Sequence, residues 1–232
     1  MKQLQMHFYR AVLSLALIQI AISAAGQTIS PPVAEYRGKA SGMLELRNDG
    51  DTPLAAILET NGFQVDEHGV LRYAPLDPGV KVDFGASSFV IPPHQSHYVF
   101  YKASCAQPSC WFAILSTLTR AERQQNQMRI NFVLPHVVYV YQKKKLKRGD
   151  VDATVTPSAN GKYVLLIQNK SDKLGRIESV ESSGFEKEFR TGGVPVFPSG
   201  RRFVEIDPGH PGNKPSVKVH FEDGFSISVP VL

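Results

Sequence analysis

Short segments in which apolar and polar residues alternate recur along the chain from residue 27 to its end. Successive side chains of a β-strand point to opposite faces, so a period of two predicts strands with one buried face. Turn-forming residues separate the segments, as in Asp77-Pro-Gly79 and Asp207-Pro-Gly209. Many short strands with turns between them predict an all-β fold of the sandwich type.

The alternating segments form two sets. The first set is Met43–Leu46, Thr52–Thr60, Gly69–Tyr73, Ser88–Ile91, Tyr98–Lys102, Trp111–Ser116 and Met128–Tyr141. The second set is Lys162–Gln168, Gly175–Glu181, Phe185–Phe189, Arg202–Ile206, Val217–Phe221 and Ser226–Val231. Only Leu118–Gln127 has a helical composition, and because it is short and polar we expect a connecting loop there.

The basic run Lys143–Arg148 lies between the two sets and is interpreted as a solvated linker. We therefore expect two domains, residues 27–145 and 146–232. A faint repeat supports two copies of one architecture. Leu44-Glu-Leu46-Arg-Asn48 is matched by Leu166-Ile-Gln-Asn169, and each is followed by an apolar pair before a proline, Val90-Ile91-Pro92 and Val196-Phe197-Pro198.

Residues 1–26 have the three zones of a cleaved secretory signal. Lys2 and Arg10 supply positive charge, Ala11–Ile22 is almost entirely apolar, and Ser23–Gly26 supplies small side chains for cleavage. The apolar run is shorter than the ~20 residues of a membrane-spanning helix, so we expect removal and export to the periplasm. Loss of Lys2 and Arg10 lowers the formal net charge of +5 by two.

The two cysteines, Cys105 and Cys110, are close in sequence. In an oxidising compartment this spacing predicts a local disulfide. A redox pair or a metal site are the alternatives. The spacing differs from the C-x-x-C of thiol oxidoreductases, however, and no second cysteine pair is present to complete a zinc cluster.

Sequence signals for chemistry are weak. There is no G-x-S-x-G motif, glycine-rich phosphate loop or H-E-x-x-H motif. His94 and His97 lie on a turn without a neighbouring acid, so we expect no metal site, and we expect no cofactor or small-molecule substrate. The mild positive charge does not indicate nucleic-acid binding. A secreted hydrolase on a sandwich scaffold is therefore disfavoured, and the protein is predicted not to be an enzyme.

The segment Met128–Tyr141 is the strongest candidate for function. Met128, Ile130, Phe132 and Leu134 fall on one face of the predicted strand. An ordinary half-buried strand has the same pattern. Its place at the end of the first domain, directly before the linker, leaves its edge available to a partner strand.

The chain resembles the periplasmic pilus (PapD-like) chaperones over almost its whole mature length. In the first domain the resemblance rests on Leu44-x-Leu46-x-Asn48-x-Gly50-x-x-Pro53, Phe89-Val-Ile-Pro-Pro93, Cys110-Trp-Phe112, Arg129-Ile-x-Phe132 and Val137-Val-Tyr-Val140. In the second domain it rests on Leu166-x-x-Asn169, Val196-Phe-Pro-Ser-Gly200, Glu222-Asp-Gly-Phe225 and Val229-Pro-Val-Leu232. Each match is short, and their order and spacing carry the resemblance.

The resemblance implies two immunoglobulin-like β-sandwich domains set at an angle, in an L-shaped (boomerang) arrangement. It implies a chaperone that binds pilus or fimbrial subunits lacking one strand, by donor-strand complementation, and delivers them to an outer-membrane usher. Met128, Ile130, Phe132 and Leu134 would then fill the subunit's groove. A PapD-like structural or adhesive module without chaperone activity is the alternative.

The chain departs from the family at the cleft. The family holds the subunit's C-terminal carboxylate with an Arg on the first strand and a Lys on the last strand of the first domain. The corresponding positions here are Pro32 or Val33 and His136 or Val137. The nearby basic residues Arg37, Lys39, His136 and Lys143 are the candidates for a replacement anchor.

Overall fold

The described part of the chain is built from β-strands, with one short 3₁₀ helix. This computed structural model describes residues 26–121, 130–158, 161–187 and 189–231. Two pairs of sheets enclose two separate hydrophobic cores. The predicted all-β fold with two β-sandwich domains is therefore confirmed. No described helix is long and apolar enough to cross a membrane.

The strands are numbered in chain order. The first domain contains β1 (Thr28–Ser30), β2 (Val33–Arg37), β3 (Ala40–Asn48), β4 (Leu54–Val65), β5 (Leu71–Ala74), β6 (Val80–Phe84), β7 (Ser88–Ile91), β8 (Gln95–Cys105), β9 (Cys110–Arg120) and β10 (Phe132–Tyr141). The 3₁₀ helix Arg148–Asp150 follows. The second domain contains β11 (Val151–Pro157), β12 (Tyr163–Asn169), β13 (Gly175–Phe185), β14 (Arg190–Val196), β15 (Arg201–Ile206), β16 (Pro211–Phe221) and β17 (Phe225–Pro230).

The first domain packs a sheet of order β1-β3-β8-β6 against a sheet of order β2-β10-β9-β4-β5, in which β7 also pairs with β4. Alternate residues of β3 and β9, such as Leu44, Leu46, Phe112 and Ile114, are fully buried between the sheets. Their period of two is the reason that these segments form strands with one face in the core.

The second domain packs a sheet of order β11-β12-β15 against a sheet of order β14-β13-β16-β17. Leu165, Ile167, Ile177 and Val219 are fully buried in its core. Leu146 packs in the same cluster, so the chain enters the second core before the first strand of that domain begins.

Some strands differ from the sequence-based expectation. β9 continues to Arg120, so the first residues of the expected loop Leu118–Gln127 belong to a strand, because Leu118 is buried in the core. Residues 122–129 lie outside the described part. Phe185 ends β13, and β14 begins only at Arg190, so Phe185–Phe189 is not a strand of its own.

The predicted disulfide is confirmed. Cys105 at the end of β8 is bonded to Cys110 at the start of β9. β8 and β9 belong to different sheets, so the disulfide joins the two sheets of the first domain at one end of the sandwich.

Two buried asparagines give the faint internal repeat a structural meaning. The Asn48 side-chain amide donates to the carbonyls of Thr52, Ile91 and Pro92, at 2.9–3.1 Å. Its oxygen accepts the Gly50 N–H at 3.1 Å. These bonds fasten the end of β3 to the turn after β7.

Asn169 makes the same kind of contacts in the second domain. Its amide donates to the carbonyls of Lys173, at 2.6 Å, and Phe197, at 3.1 Å. Its oxygen accepts the Ser171 N–H at 3.0 Å. Each asparagine therefore bonds to the apolar pair before proline that belongs to its own copy of the repeat.

We expect Asn48→Ala to lower the free energy of unfolding of the first domain by about 2–3 kcal/mol, because buried carbonyls lose their donor. Asn169→Ala should do the same to the second domain. Urea unfolding followed by a probe in each domain measures both effects. Asn213→Ala, at an exposed position, is the control and should change stability by less than about 0.5 kcal/mol. Equal effects of Asn48→Ala and Asn213→Ala would contradict this role.

Candidate functional site

The N-terminal half of β10 has a free edge. β10 pairs with β9 from Phe132 to Val140, but the parallel pairing with β2 begins only at Val137. On its other side, the stretch 132–136 therefore has no partner strand in the described part of the chain. An unpaired strand edge of this kind can accept a strand from another molecule.

The backbone groups at this edge follow from the pairing with β2. The Val137 N–H donates to the Pro32 carbonyl at 2.9 Å, and the Tyr141 carbonyl accepts the Gly38 N–H at 2.9 Å. Odd-numbered residues of β10 thus direct their polar groups towards β2. By the same alternation, Val133 directs both an N–H and a carbonyl to the free edge, while Pro135 offers only a carbonyl.

The predicted donor residues become progressively more buried along the chain. Ile130, just before the strand, is 56% exposed, Phe132 is 42% exposed, and Leu134 is partly buried against the first core. Met128 lies outside the described residues. The core of the first domain thus ends at Leu134. The two large apolar side chains that precede it, Ile130 and Phe132, are in contact with solvent.

The opposite face of the same sheet meets the second domain. Tyr139 and Tyr141 on β10, with Phe63 and Ala113, form a buried cluster with Leu174 of the second domain. Phe197 packs edge-on against Trp111, with ring centroids 4.9 Å apart. The two domains are therefore joined by an aromatic contact at the C-terminal half of β10, beyond the free edge.

Ion pairs surround this joint. Arg37 on β2 bonds to Asp223 at 2.5 Å, and the Asp223 side chain is only 4% exposed. The other Asp223 oxygen accepts the Leu146 N–H at 2.8 Å. Arg176 bonds to Glu35 of the first domain and to Glu222 of its own domain. Burial opposes the Arg176 charge, but Glu35, Tyr141 and Glu222 raise its pKa overall.

The four anchor candidates differ in their surroundings, and Lys39 is exposed. The Arg37 guanidinium is already paired with Asp223. His136 is fully buried, with both ring nitrogens in hydrogen bonds. Lys143 is exposed and forms no ion pair with another described residue. The anchor therefore remains a prediction.

His136, at the end of the free edge, connects β10 to Pro31 and to Tyr101 on β8. Its Nδ1 donates to the Pro31 carbonyl at 2.6 Å, so the neutral ring leaves Nε2 to accept the Tyr101 hydroxyl at 2.9 Å. Tyr36 continues this chain with a hydroxyl contact to Tyr101 at 3.0 Å. The family resemblance identified His136 only as a candidate anchor for a carboxylate. Its buried network depends on partners 35 and 105 residues away.

Burial lowers the pKa of His136 from its usual 6.5, although the bond to Pro31 acts in the opposite direction. The unfolded chain therefore binds more protons than the native protein as the pH falls through the unfolded pKa. Stability from neutral His136 is complete above that pKa, and it declines as the pH falls from about 6.5 towards the lower native pKa.

We expect wild-type stability to drop between pH 7.5 and pH 5.5 by more than that of His136→Gln, measured by urea unfolding of the first domain. Wild-type protein and His210→Gln, which changes an exposed histidine, should show the same pH dependence. If His136→Gln keeps the full wild-type pH dependence, the neutral buried ring is not the origin of this effect.

Comparisons with known proteins bear on the fold. No protein-family model matches the sequence, and no curated protein matches it. Solved structures do match. The class 5 fimbriae chaperone CfaA superposes with a TM-score of 0.56 at 8% identity, covering 89% of this chain and 100% of that chain.

Two further matches come from complexes. A CsuC–CsuE chaperone–tip subunit complex of Acinetobacter baumannii gives a TM-score of 0.53 at 13% identity, covering 88% of this chain and 98% of the matched chain. A Salmonella enterica SafA pilin–SafB chaperone complex gives 0.51 at 10% identity, covering 89% and 96%. The chain therefore has the two-domain β-sandwich fold of the fimbrial chaperones.

Proposed function

We propose that this protein is a periplasmic chaperone for pilus or fimbrial subunits that lack one strand. The free edge of β10 carries the proposal, because it combines an unpaired backbone with exposed apolar side chains. CsuC and SafB, which share the fold, were each solved in complex with a subunit. The function is binding, with no chemical step.

Binding would proceed by donor-strand complementation. The subunit's incomplete sandwich pairs with the stretch 132–136 of β10, and main-chain hydrogen bonds form without demanding a particular sequence. Ile130, Phe132 and Leu134 would enter the subunit's open groove, and we extend the same role to Met128. Fully burying each such side chain contributes roughly 1.5–3 kcal/mol.

The same contact would protect the subunit. A sandwich that lacks a strand exposes its core and two open edges, which promote aggregation. Covering the groove in the periplasm would keep the subunit competent until it is delivered for assembly at the outer membrane, with an usher as the expected recipient. The signal-like residues 1–26 support export to that compartment.

A module with this fold but without chaperone activity is the second candidate. One observation favours it. Arg37 is held by Asp223, and His136 is buried, so two of the four basic candidates do not offer a free charge to a subunit carboxylate. Failure of the wild-type protein to bind any strand-lacking subunit encoded near its gene would support this second function.

We expect the double substitution Ile130→Asp and Phe132→Asp to weaken subunit capture by about a hundredfold or more, because each charge would have to be buried in an apolar groove. The measurement is co-purification from periplasm, followed by titration, with each fimbrial subunit encoded beside the gene. Phe100→Asp is the matched control, since Phe100 is 67% exposed on the other sheet. Unchanged capture by the double variant would rule out strand donation.

We expect Lys143→Ala to weaken capture by about tenfold if Lys143 meets the subunit's C-terminal carboxylate, since charge-assisted hydrogen bonds contribute about 1.5–3 kcal/mol. Lys81→Ala, at an exposed position on β6, is the control. A subunit with an amidated C-terminus should bind both variants alike. A tenfold loss that persists with the amidated subunit would assign Lys143 a different contact.

A further inference from the structure

The hairpin formed by β4 and β5 extends beyond the sheet of the first domain. β4 pairs with β9 from Leu54 to Asn61, and its remaining residues, Gly62–Val65, pair only with β5. The sequence predicts a strand ending at Thr60. The extra residues therefore build an arm whose role is not explained by the core of the first domain.

The tip of this arm, residues 66–69, is closed by its own hydrogen bonds. The Asp66 carboxylate accepts the N–H groups of His68, at 3.0 Å, and Val70, at 2.9 Å. The Gly69 N–H donates to the Asp66 carbonyl at 3.0 Å. Gly69 has a φ of +91°, which a residue with a side chain rarely adopts. The tip is thus a turn with a defined backbone conformation, and a residue that contacts it is held in one position.

The tip contacts strand β15 of the second domain. The Phe203 N–H donates to the Glu67 carbonyl at 2.7 Å, and Arg202 Nη1 donates to the Asp66 carbonyl at 3.1 Å. The His68 ring stacks on Phe203, with centroids 5.3 Å apart. A Cβ on Gly69 would lie 2.1 Å from Arg202 Nη2, so a side chain at this position would displace the Arg202 guanidinium.

This contact extends the aromatic joint between the domains, in which Phe63 of the arm already packs with Tyr139 and Leu174. Arg37, Gln142 and Leu146 attach the second domain close to the end of β10 and the linker. β4 lies two strands away from β10 in the same sheet, which is about 10 Å at the usual strand spacing. An interface that reaches from the linker to the arm resists rotation of the domains more than one confined to the linker side.

The surroundings of Arg202 suggest that the contact selects one arrangement of the two domains, rather than only adding stability. Its Nε is buried and has no hydrogen-bond partner among the described residues. Burial lowers the pKa of Arg202. A partly buried guanidinium with an unbonded Nε–H contributes little net stability, and one attested use of such groups is to select one arrangement over others.

We propose that the β4–β5 arm is a clasp that fixes the second domain relative to the first and so presets the cleft beside the free edge of β10. His68 and Arg202 are its positioning residues. This inference rests on the proposed function, because the preset cleft is the place where a subunit would lie. A preorganised cleft avoids the entropy loss of ordering two domains when the subunit binds.

The test measures the distance between the domains and subunit capture in the same variants. Spin labels are attached at Lys81→Cys in the first domain and Lys218→Cys in the second, both at exposed positions. Pulsed electron paramagnetic resonance then gives the distribution of distances between the domains. The double substitution His68→Ala and Arg202→Ala is the clasp variant. His68→Ala alone changes an exposed side chain and serves where the double variant does not fold. Arg201→Ala, the exposed neighbour on β15, is the control.

We expect the clasp variant to show a broader distance distribution and about threefold to tenfold weaker capture of the co-purified subunit, with Arg201→Ala like the wild type. A wild-type distribution in the clasp variant would overturn the proposal. A broadened distribution with undiminished capture would show that the cleft need not be preset. If the wild type captures no subunit, the proposed function fails, while the distance measurement still decides whether the arm is a clasp.

Discussion

The two consecutive prolines Pro31 and Pro32 impose the constraint on which the first domain depends. Before them, β1 pairs with β3 in one sheet, and after them β2 pairs with β10 in the other. Proline has no N–H to donate to a ladder, so this crossing is a natural end to pairing. The Pro32 carbonyl accepts the Val137 N–H, and earlier residues of β10 have no such partner in the described chain. The crossing thus leaves half of β10 open.

The same short strand also builds the joint between the domains. Glu35 and Arg37 on β2 bond to Arg176 and Asp223 of the second domain. Tyr141 at the end of β10 donates to Glu35. β2 lies beside the C-terminal half of β10 only. The strand that leaves the edge at 132–136 unpaired is therefore also the strand that binds the second domain. The free edge and the joint between the domains therefore both depend on the placement of β2.

Alternation in the sequence predicts that strands exist and which face is buried, because both depend on local spacing. It therefore identified the all-β fold and the apolar face of Ile130 and Phe132. It does not predict which strands pair. The free edge depends on where Val33 meets Val137, and the role of Arg37 depends on Asp223, 186 residues away. β14 was missed because Gly192, Gly193 and Pro195 interrupt its pattern.

A free strand edge that binds one partner must not pair with every other strand that it meets. Val133 offers a complete pair of backbone groups there, but Pro135 offers only a carbonyl, so one carbonyl of any added strand finds no donor. Generic pairing with a second copy is weakened for that reason. In the proposed complex, side chains would then supply the remaining affinity. A subunit groove that accepts Ile130 and Phe132 gains from their burial, whereas a strand without such a groove leaves both in water.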